Sequence, residues 1–335
     1  MFGYLNLYFG DMGRALAVAN GYLENPDAYT RVHVVPMNGK VRKLRAYADN
    51  KEGKKLRELH ENVARFVWES FQSSNMSYAY KKGRNIVDCV SAHTNSRGFL
   101  KTDIHAFFDS TKLATFLQMF LKNPKFFSDK PKLTTIFSAC FYDGTLPLGF
   151  VSSPAISDFF LNELDRRMAM VPGIVYTRYA DDFLISSKNM NAQFVLDGAF
   201  KVLRTEVSKL GLELNEKKTF YRELKDEGDA IHFLGLNLVH TRYGFNRITV
   251  SGSYLKRTCM ELASAIQKGD QKAYDAVRGK IAFISMCSSD SLDKFRRLVQ
   301  VKLKVGYAQL METRDVKEAK ELLKYNRYQS KDGSF

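Results

Sequence analysis

The stretch Ile174–Ser187, IVYTRYADDFLISS, constrains the fold more than any other part of the chain. Two short runs rich in Val, Ile, Tyr, Phe and Leu flank Ala180-Asp181-Asp182, the pattern of a β-hairpin that turns at an acidic pair. Neighbouring carboxylates repel each other, and half-burying them between strands costs solvation. A cation is therefore expected beside them, and hard oxygen ligands on a rigid turn favour Mg²⁺. An Asp-Asp pair alone is also the ordinary composition of a solvated turn, so the rest of the chain decides.

The chain has 335 residues, 45% of them hydrophobic, enough for a sizeable core and more than one ordinary domain. Its formal charge of +15 points to a polyanionic partner, most simply nucleic acid. The cations cluster, at Lys40–Arg45, Lys51–Arg57, Lys81–Arg84, Lys217-Lys218 and Lys294–Lys304, which suits a groove better than scattered solvation. Seventeen Tyr and 25 Phe suit base stacking, although most are expected in the core. Cys89, Cys140, Cys259 and Cys287 form no CxxC pair, which argues against a zinc site or a disulfide framework and for a reducing cytoplasm. The apolar N-terminus is interrupted by Asp11 and Arg14 and lacks a basic start, so neither a signal peptide nor a membrane partner is expected.

Taken in order, residues 1–28 read as one or two short helices broken at Asn25-Pro26-Asp27. Tyr29–Val35 and Lys40–Tyr47 read as strands joined at Met37-Asn38-Gly39. The returning arm, GKVRKLR, would bring Lys40, Arg42 and Arg45 near one turn. Such cations can clamp a triphosphate or track a nucleic-acid backbone; a solvated basic edge strand has the same pattern. Lys54–Phe71 is an amphipathic helix, with Trp68 at the margin of its core face. A basic loop then leads into a helix near Val90, and His93 is expected to be structural. Gly98–Ser110 reads as a strand with Asp103 at its end, where the carboxylate could otherwise cap a helix. Helices are expected over Thr111–Leu121 and Leu133–Phe141. In TLPLGFVSSP, Gly149 allows close backbone approach and Ser152-Ser153-Pro154 opens a helix from about Ala155 to Met170. After the acidic hairpin comes a helix over Ala192–Leu210. A hairpin is expected over Arg242–Ser251 through Tyr243-Gly244. Three basic helices (Tyr254–Gln267, Gln271–Met286, Ser291–Gln309) and a frayed tail at Gln329–Phe335 complete the chain.

Tyr179-Ala180-Asp181-Asp182 between two strands resembles motif C of reverse transcriptases, and GFLKTDIHAFFDS resembles their motif A. TLPLGFVSSP resembles motif B, GLELNEKKT (Gly211–Thr219) motif D, a strand-turn ending in lysines, and IHFLGLNLV (Ile231–Val239) motif E, a hairpin at Phe233-Leu234-Gly235; Arg278-Gly279-Lys280 with Phe295-Arg296-Arg297-Leu298 is similar to the thumb of retron enzymes. The resemblance implies an α+β right-hand polymerase, with fingers over 1–98, a palm over 99–240 and a helical thumb over 241–335. It implies two Mg²⁺ ions, with Mn²⁺ as a substitute, held by Asp103, Asp181, Asp182 and the carbonyl of Ile104. Lys218 would neutralise or protonate pyrophosphate. Lys40, Arg42, Phe108 and Gly149 would face the nucleotide, Phe108 lying where a ring excludes a 2′-hydroxyl. Tyr179, Leu148, Ser152, Phe233, Leu234, Gly235, Lys256 and Arg278 would face primer and template.

Three departures from the family pattern stand out. Leu148 occupies the usual Gln of motif B, Cys89-Val90 replace the Asn-Ala of retrons, and Phe233-Leu234-Gly235 replace their Val-Thr-Gly. The chain therefore resembles a retron-like, defence-associated relative. Such an enzyme is expected to copy a structured non-coding RNA into DNA from dNTPs, alongside an effector protein. Leu148 keeps open untemplated or protein-primed synthesis, and a non-catalytic RNA-binding scaffold is the third reading.

Overall fold

A computed structural model describes residues 5–37 and 40–332. The expected turn residues Asn38 and Gly39, and the side chain of Lys40, lie outside the described residues. Helices and antiparallel sheets are mixed, as the α+β expectation requires. The chain packs as two compact units, Met1–Asn85 with Gly98–Arg222, and Ile86–Arg97 with Glu223–Phe335.

In the first unit, strands β1 (Thr30–Met37) and β2 (Lys40–Tyr47) form a two-stranded ribbon. A four-stranded sheet is ordered β4 (Val175–Tyr179), β5 (Asp182–Ser187), β3 (Gly98–Asp103), β6 (Phe220–Glu223). Helix Lys51–Ser70 starts where the Asn50 side chain accepts the Gly53 N–H at 2.7 Å. Its stripe of Leu56, Leu59, Val63, Phe66 and Val67 is buried, packing that helix against Ser153–Ala169. Phe66, Phe116, Phe120, Phe126 and Phe137 interlock at centroid distances between 4.8 and 6.2 Å, so much of the Phe content serves the core. One hydrophobic cluster runs from the N-terminal helices through the sheet, and the expected fingers and palm share it.

The second unit holds the sheet β7 (Ala230–Phe233), β8 (Leu236–His240), β9 (Asn246–Val250) and the helices Gly252–Lys268, Gln271–Cys287, Ser289–Leu303, Tyr307–Glu312 and Val316–Asp332. The β7–β8 hairpin, expected in the palm, packs here because β8 also pairs with β9. Residues 86–97, expected in the fingers, join this unit: Asn246 donates to the Ser96 carbonyl at 2.6 Å, and its N–H to that of Thr94 at 2.8 Å. The expected helix Ser291–Gln309 breaks at Lys304, whose φ of 55° closes it in the left-handed region. The expected tail is helical as far as Asp332, and residues 333–335 lie outside the described residues. All four cysteines are buried and no disulfide joins them, and no described helix is long and apolar enough to cross a membrane.

His60 and His93 are fully buried, and burial pushes both imidazoles down to about 3. His60 Nε2 donates to the Ala139 carbonyl at 2.9 Å. Its Nδ1 therefore accepts from the Tyr47 hydroxyl at 2.9 Å, and that oxygen in turn accepts the Val151 N–H. The chain ties β2 to the loop around Gly149. Because the folded pKa is depressed, the unfolded chain binds the proton first. Stability is then lost as pH falls from about 6.5 towards 3, by about 1.4 kcal/mol per unit for each histidine. Denaturant melts at pH 7 and pH 5 should show a shallower acid loss for His60→Gln than for wild type; equal slopes would refute this assignment.

Candidate active site

The register of the four-stranded sheet brings the acidic residues together. Asp103, the last residue of β3, stands directly opposite Asp182, the first of β5, and Tyr179 faces the same Asp182 from β4. Ala180 and Asp181 make the two-residue turn, with Ala180 held at φ 56°, a conformation that a non-glycine residue adopts only under local constraint. The Ile104 N–H donates to the Asp181 carbonyl at 3.2 Å, so the two loops are joined through the backbone. The Asn215 N–H reaches the Asp103 carbonyl at 2.8 Å, bringing the segment that ends in Lys218 to the same edge. Of the expected strand-turn, the segment keeps one bridge from Leu214 to Ile104 and a single 3₁₀ turn, Glu216–Lys218.

The electrostatics are those of crowded carboxylates. Burial, then repulsion from Asp181 and Asp103, pushes the Asp182 carboxyl up to about 6. Burial and Asp103 likewise hold Asp181 above the usual range, while Lys218 and Arg42 pull against them. Lys218 Nζ is paired with Asp103 Oδ2, and that bond raises the ammonium pKa. Asp103 Oδ1 is buried with no hydrogen-bond partner. Such an orphaned carboxylate oxygen, beside two carboxyls whose charge is disfavoured, suits a hard divalent cation. Among the described residues no three acidic, His or Cys side chains form a ready-made cage; here Lys218 is the cation touching Asp103. Lys101, two residues before Asp103 on β3, adds a further positive charge near Asp182.

Sequence reasoning missed what lies beneath the turn. Arg178 is 1% exposed and makes a fork onto Asp165, Nε to Oδ1 at 2.8 Å and Nη2 to Oδ2 at 2.6 Å. Nη2 also reaches Asp158 at 2.8 Å, and Nη1 donates to the Ala180 carbonyl at 3.0 Å. Tyr176 completes Asp165, while Ser73 and Ser77 donate to Asp158. Burial works against the guanidinium charge, but Asp165 and Asp158 outweigh it and raise the Arg178 pKa. Asp158 and Asp165 lie seven residues apart on the buried face of Ser153–Ala169. This spacing of acids in an apolar helix was the available signal.

The other expected residues divide by environment. Arg42 is exposed, and its charge is felt at Asp181. Arg45, by contrast, is buried: Nη1 donates to Thr30 Oγ1 at 2.7 Å and the guanidinium covers the Tyr142 ring at 3.4 Å, so it braces β2 instead of facing a triphosphate. The Leu148 carbonyl accepts the Arg45 N–H at 2.8 Å. At Gly149, whose φ is 110°, a Cβ would lie 2.6 Å from the Arg45 carbonyl, so glycine is required for that crossing. Ser152 is fully buried with its hydroxyl beside Cys140. Phe108 is half-buried and edge-on to Phe107 at 5.6 Å. In the second unit, Leu234 and Gly235, both at positive φ (52° and 81°), make the β7–β8 turn and Phe233 is buried. Lys256 is exposed on Gly252–Lys268. Arg278, expected against primer or template, has its guanidinium on the Thr313 and Met311 carbonyls at 2.6 and 3.3 Å, at the C-terminal end of the short helix Tyr307–Glu312.

The family model for "Reverse transcriptase (RNA-dependent DNA polymerase)" matches residues 40–238, the segment that carries Asp103, Asp181 and Asp182. The chain is 30% identical over 233 residues to the retron Ec73 reverse transcriptase of Escherichia coli, covering 65% of this chain and 71% of that protein. It is 28% identical over 196 residues to the retron Ec86 reverse transcriptase of Escherichia coli, covering 56% and 58%. Among solved structures, telomerase from Candida albicans in complex with a fragment of telomeric RNA matches with a TM-score of 0.50 and 13% identity, over 82% of this chain and 54% of that one. Apo telomerase from Candida tropicalis matches at 0.50 and 11%, over 89% and 62%. At such identity the telomerase likeness speaks to the right-hand fold alone. With a family match across most of the chain and retron enzymes among its relatives, the chain belongs to the reverse transcriptase family, on its retron-like side.

Proposed function

We propose that the chain copies a cognate structured RNA into DNA, joining dNTPs at the site built on Asp103, Asp181 and Asp182. The observation that carries this reading is the register of Asp103 opposite Asp182, next to a buried carboxylate oxygen without a partner. Two divalent ions held by these carboxylates and the Ile104 carbonyl, Mg²⁺ or Mn²⁺, would lower the pKa of the primer 3′-hydroxyl and stabilise the leaving charge. The protein's own groups do the rest. Lys218, paired with Asp103 here, would be released when that charge is otherwise met and would give a proton to pyrophosphate. Arg42 orients the triphosphate, as its field at Asp181 supports. Phe108, at the edge of the core, forms the floor under the sugar and selects against ribonucleotides. Fingers, palm and thumb remain our reading of how these functions divide along the chain. A role for the DNA in defence against phage, with an effector protein, follows from the family resemblance.

The test is to purify the protein from its host with whatever nucleic acid accompanies it. That nucleic acid is sequenced, and labelled dNTPs or ribonucleotides are then supplied with Mg²⁺. DNA complementary to one enriched RNA, absent with Asp181→Asn/Asp182→Asn and absent with ribonucleotides, is the expected result. Mutant-sensitive DNA with no complementary template would replace this reading with untemplated or protein-primed synthesis, the alternative that Leu148 favours.

A further inference from the structure

The turn between β8 and β9, Thr241–Phe245, carries an aromatic pair that the core does not use. Tyr243 is 70% and Phe245 46% exposed, and their rings lie nearly parallel, 14° apart in plane with centroids at 6.2 Å. The Arg242 guanidinium stands 4.9 Å from the Tyr243 centroid and donates to its hydroxyl at 2.9 Å. Gly244, at φ 81°, lets the turn close tightly. The Thr241 N–H and hydroxyl both reach the Phe245 carbonyl, at 2.9 and 2.7 Å. The root is equally fixed. Asn246 is 2% exposed, donates to the Ser96 carbonyl at 2.6 Å and pairs with His240 Nδ1 at 2.8 Å. Turns ordinarily carry small polar residues. Here a rigid pedestal presents two apolar ring faces and a cation to solvent.

We propose that Arg242-Tyr243-Gly244-Phe245 is a binding site for unpaired nucleotides of the RNA, with bases stacking on the two rings and Arg242 meeting a phosphate. The chemistry fits a nucleotide at three points. Aromatic faces accept any base, an arginine beside them adds a charge-assisted phosphate contact, and a preorganised turn avoids an ordering cost on binding. The neighbouring acids decide between strand forms. The turn holding Asp226, Glu227 and Asp229 is bonded to His240 at the root, with the Gly228 N–H on the His240 carbonyl at 3.0 Å. Its negative charge disfavours a duplex backbone laid along the hairpin, while a base projecting from a single-stranded loop reaches the tip alone. This site deepens the proposed reading of the chain as a polymerase with a structured RNA partner, and it rests on that reading.

The test uses the full chain and three probes of one sequence: a 12-nucleotide single-stranded RNA, the matching DNA strand, and the blunt RNA duplex. Tyr243→Ala and Phe245→Ala should each weaken binding of the single-stranded RNA about tenfold in fluorescence anisotropy, leaving the duplex unchanged. Tyr243→Trp should bind as wild type, and its emission should be quenched by single-stranded RNA but not by duplex. Arg242→Ala should lower the salt dependence of single-strand binding by about one phosphate contact. Equal weakening of duplex and single strand, no weakening of either, or an unquenched Trp would overturn the site. Preference for the DNA strand would overturn its assignment to RNA. Primer extension on a preformed generic primer–template is run alongside. Absence of wild-type incorporation both there and on the co-purified RNA would remove the polymerase reading while leaving the stacking result to stand or fall independently.

Discussion

Asp182→Asn should give a protein that is more stable than wild type without metal and yet unable to incorporate nucleotides. Two consequences of one carboxylate separate here. Its folded pKa, pushed up to about 6 by burial and by Asp181 and Asp103, means that the folded state holds the proton more tightly than the unfolded chain. Stability therefore falls as pH rises from about 4 to 6, by about 1.4 kcal/mol per unit, and the loss persists above that range. At pH 8 the neutral amide removes a penalty of about 2–3 kcal/mol. It also removes a carboxylate from the proposed divalent-ion site, and dNTP incorporation should fall roughly a thousandfold or more. Urea melts at pH 8 with and without Mg²⁺, paired with single-turnover incorporation, read both effects. Mg²⁺ should stabilise wild type by mass action and the variant far less. Wild-type incorporation in the variant would remove Asp182 from the chemistry. A variant less stable than wild type at pH 8 would show that the crowding of carboxylates is relieved in some other way. The same opposition of stability and activity is what a site assembled for a transition state rather than for folding produces.

What the sequence made legible was local. The acidic hairpin, the strand ending at Asp103 and the Gly149 crossing each announce themselves through turn chemistry or alternation within a dozen residues. The resemblance to reverse transcriptases then joined them across 78 residues of chain between Asp103 and Asp181, which no periodicity can do. Features fixed by distant partners were not legible. Arg45 and Arg278 look like free cations in a basic chain, and only packing shows one against Tyr142 and Thr30 and the other on the Thr313 and Met311 carbonyls. Residues 86–97 look like part of the fingers until Asn246, 150 positions after Ser96, bonds to them. The break at Lys304 needs a left-handed lysine that composition does not signal.

Arg178→Met should have the second large effect, and its origin can be separated into fold and function. Removing the guanidinium leaves Asp158 and Asp165, both almost fully buried, without their cation, which should cost about 3–5 kcal/mol. Arg178→Lys should recover only part, because a point charge cannot reproduce the fork onto Asp165 and still reach the Ala180 carbonyl. The informative variant is Arg178→Met with Asp158→Asn and Asp165→Asn. It carries no unpaired buried charge and should regain most of the lost stability in urea melts. Its incorporation rate should stay well below wild type at saturating dNTP, with little change in KM. Nothing then holds the Ala180 carbonyl, and the left-handed turn that aims Asp181 is free to relax. A stable triple variant with full activity would reduce the cluster to a structural brace. A stable but slow one would make Arg178 a positioning residue, linking the helix that follows Ser152 to the turn that carries the acidic pair.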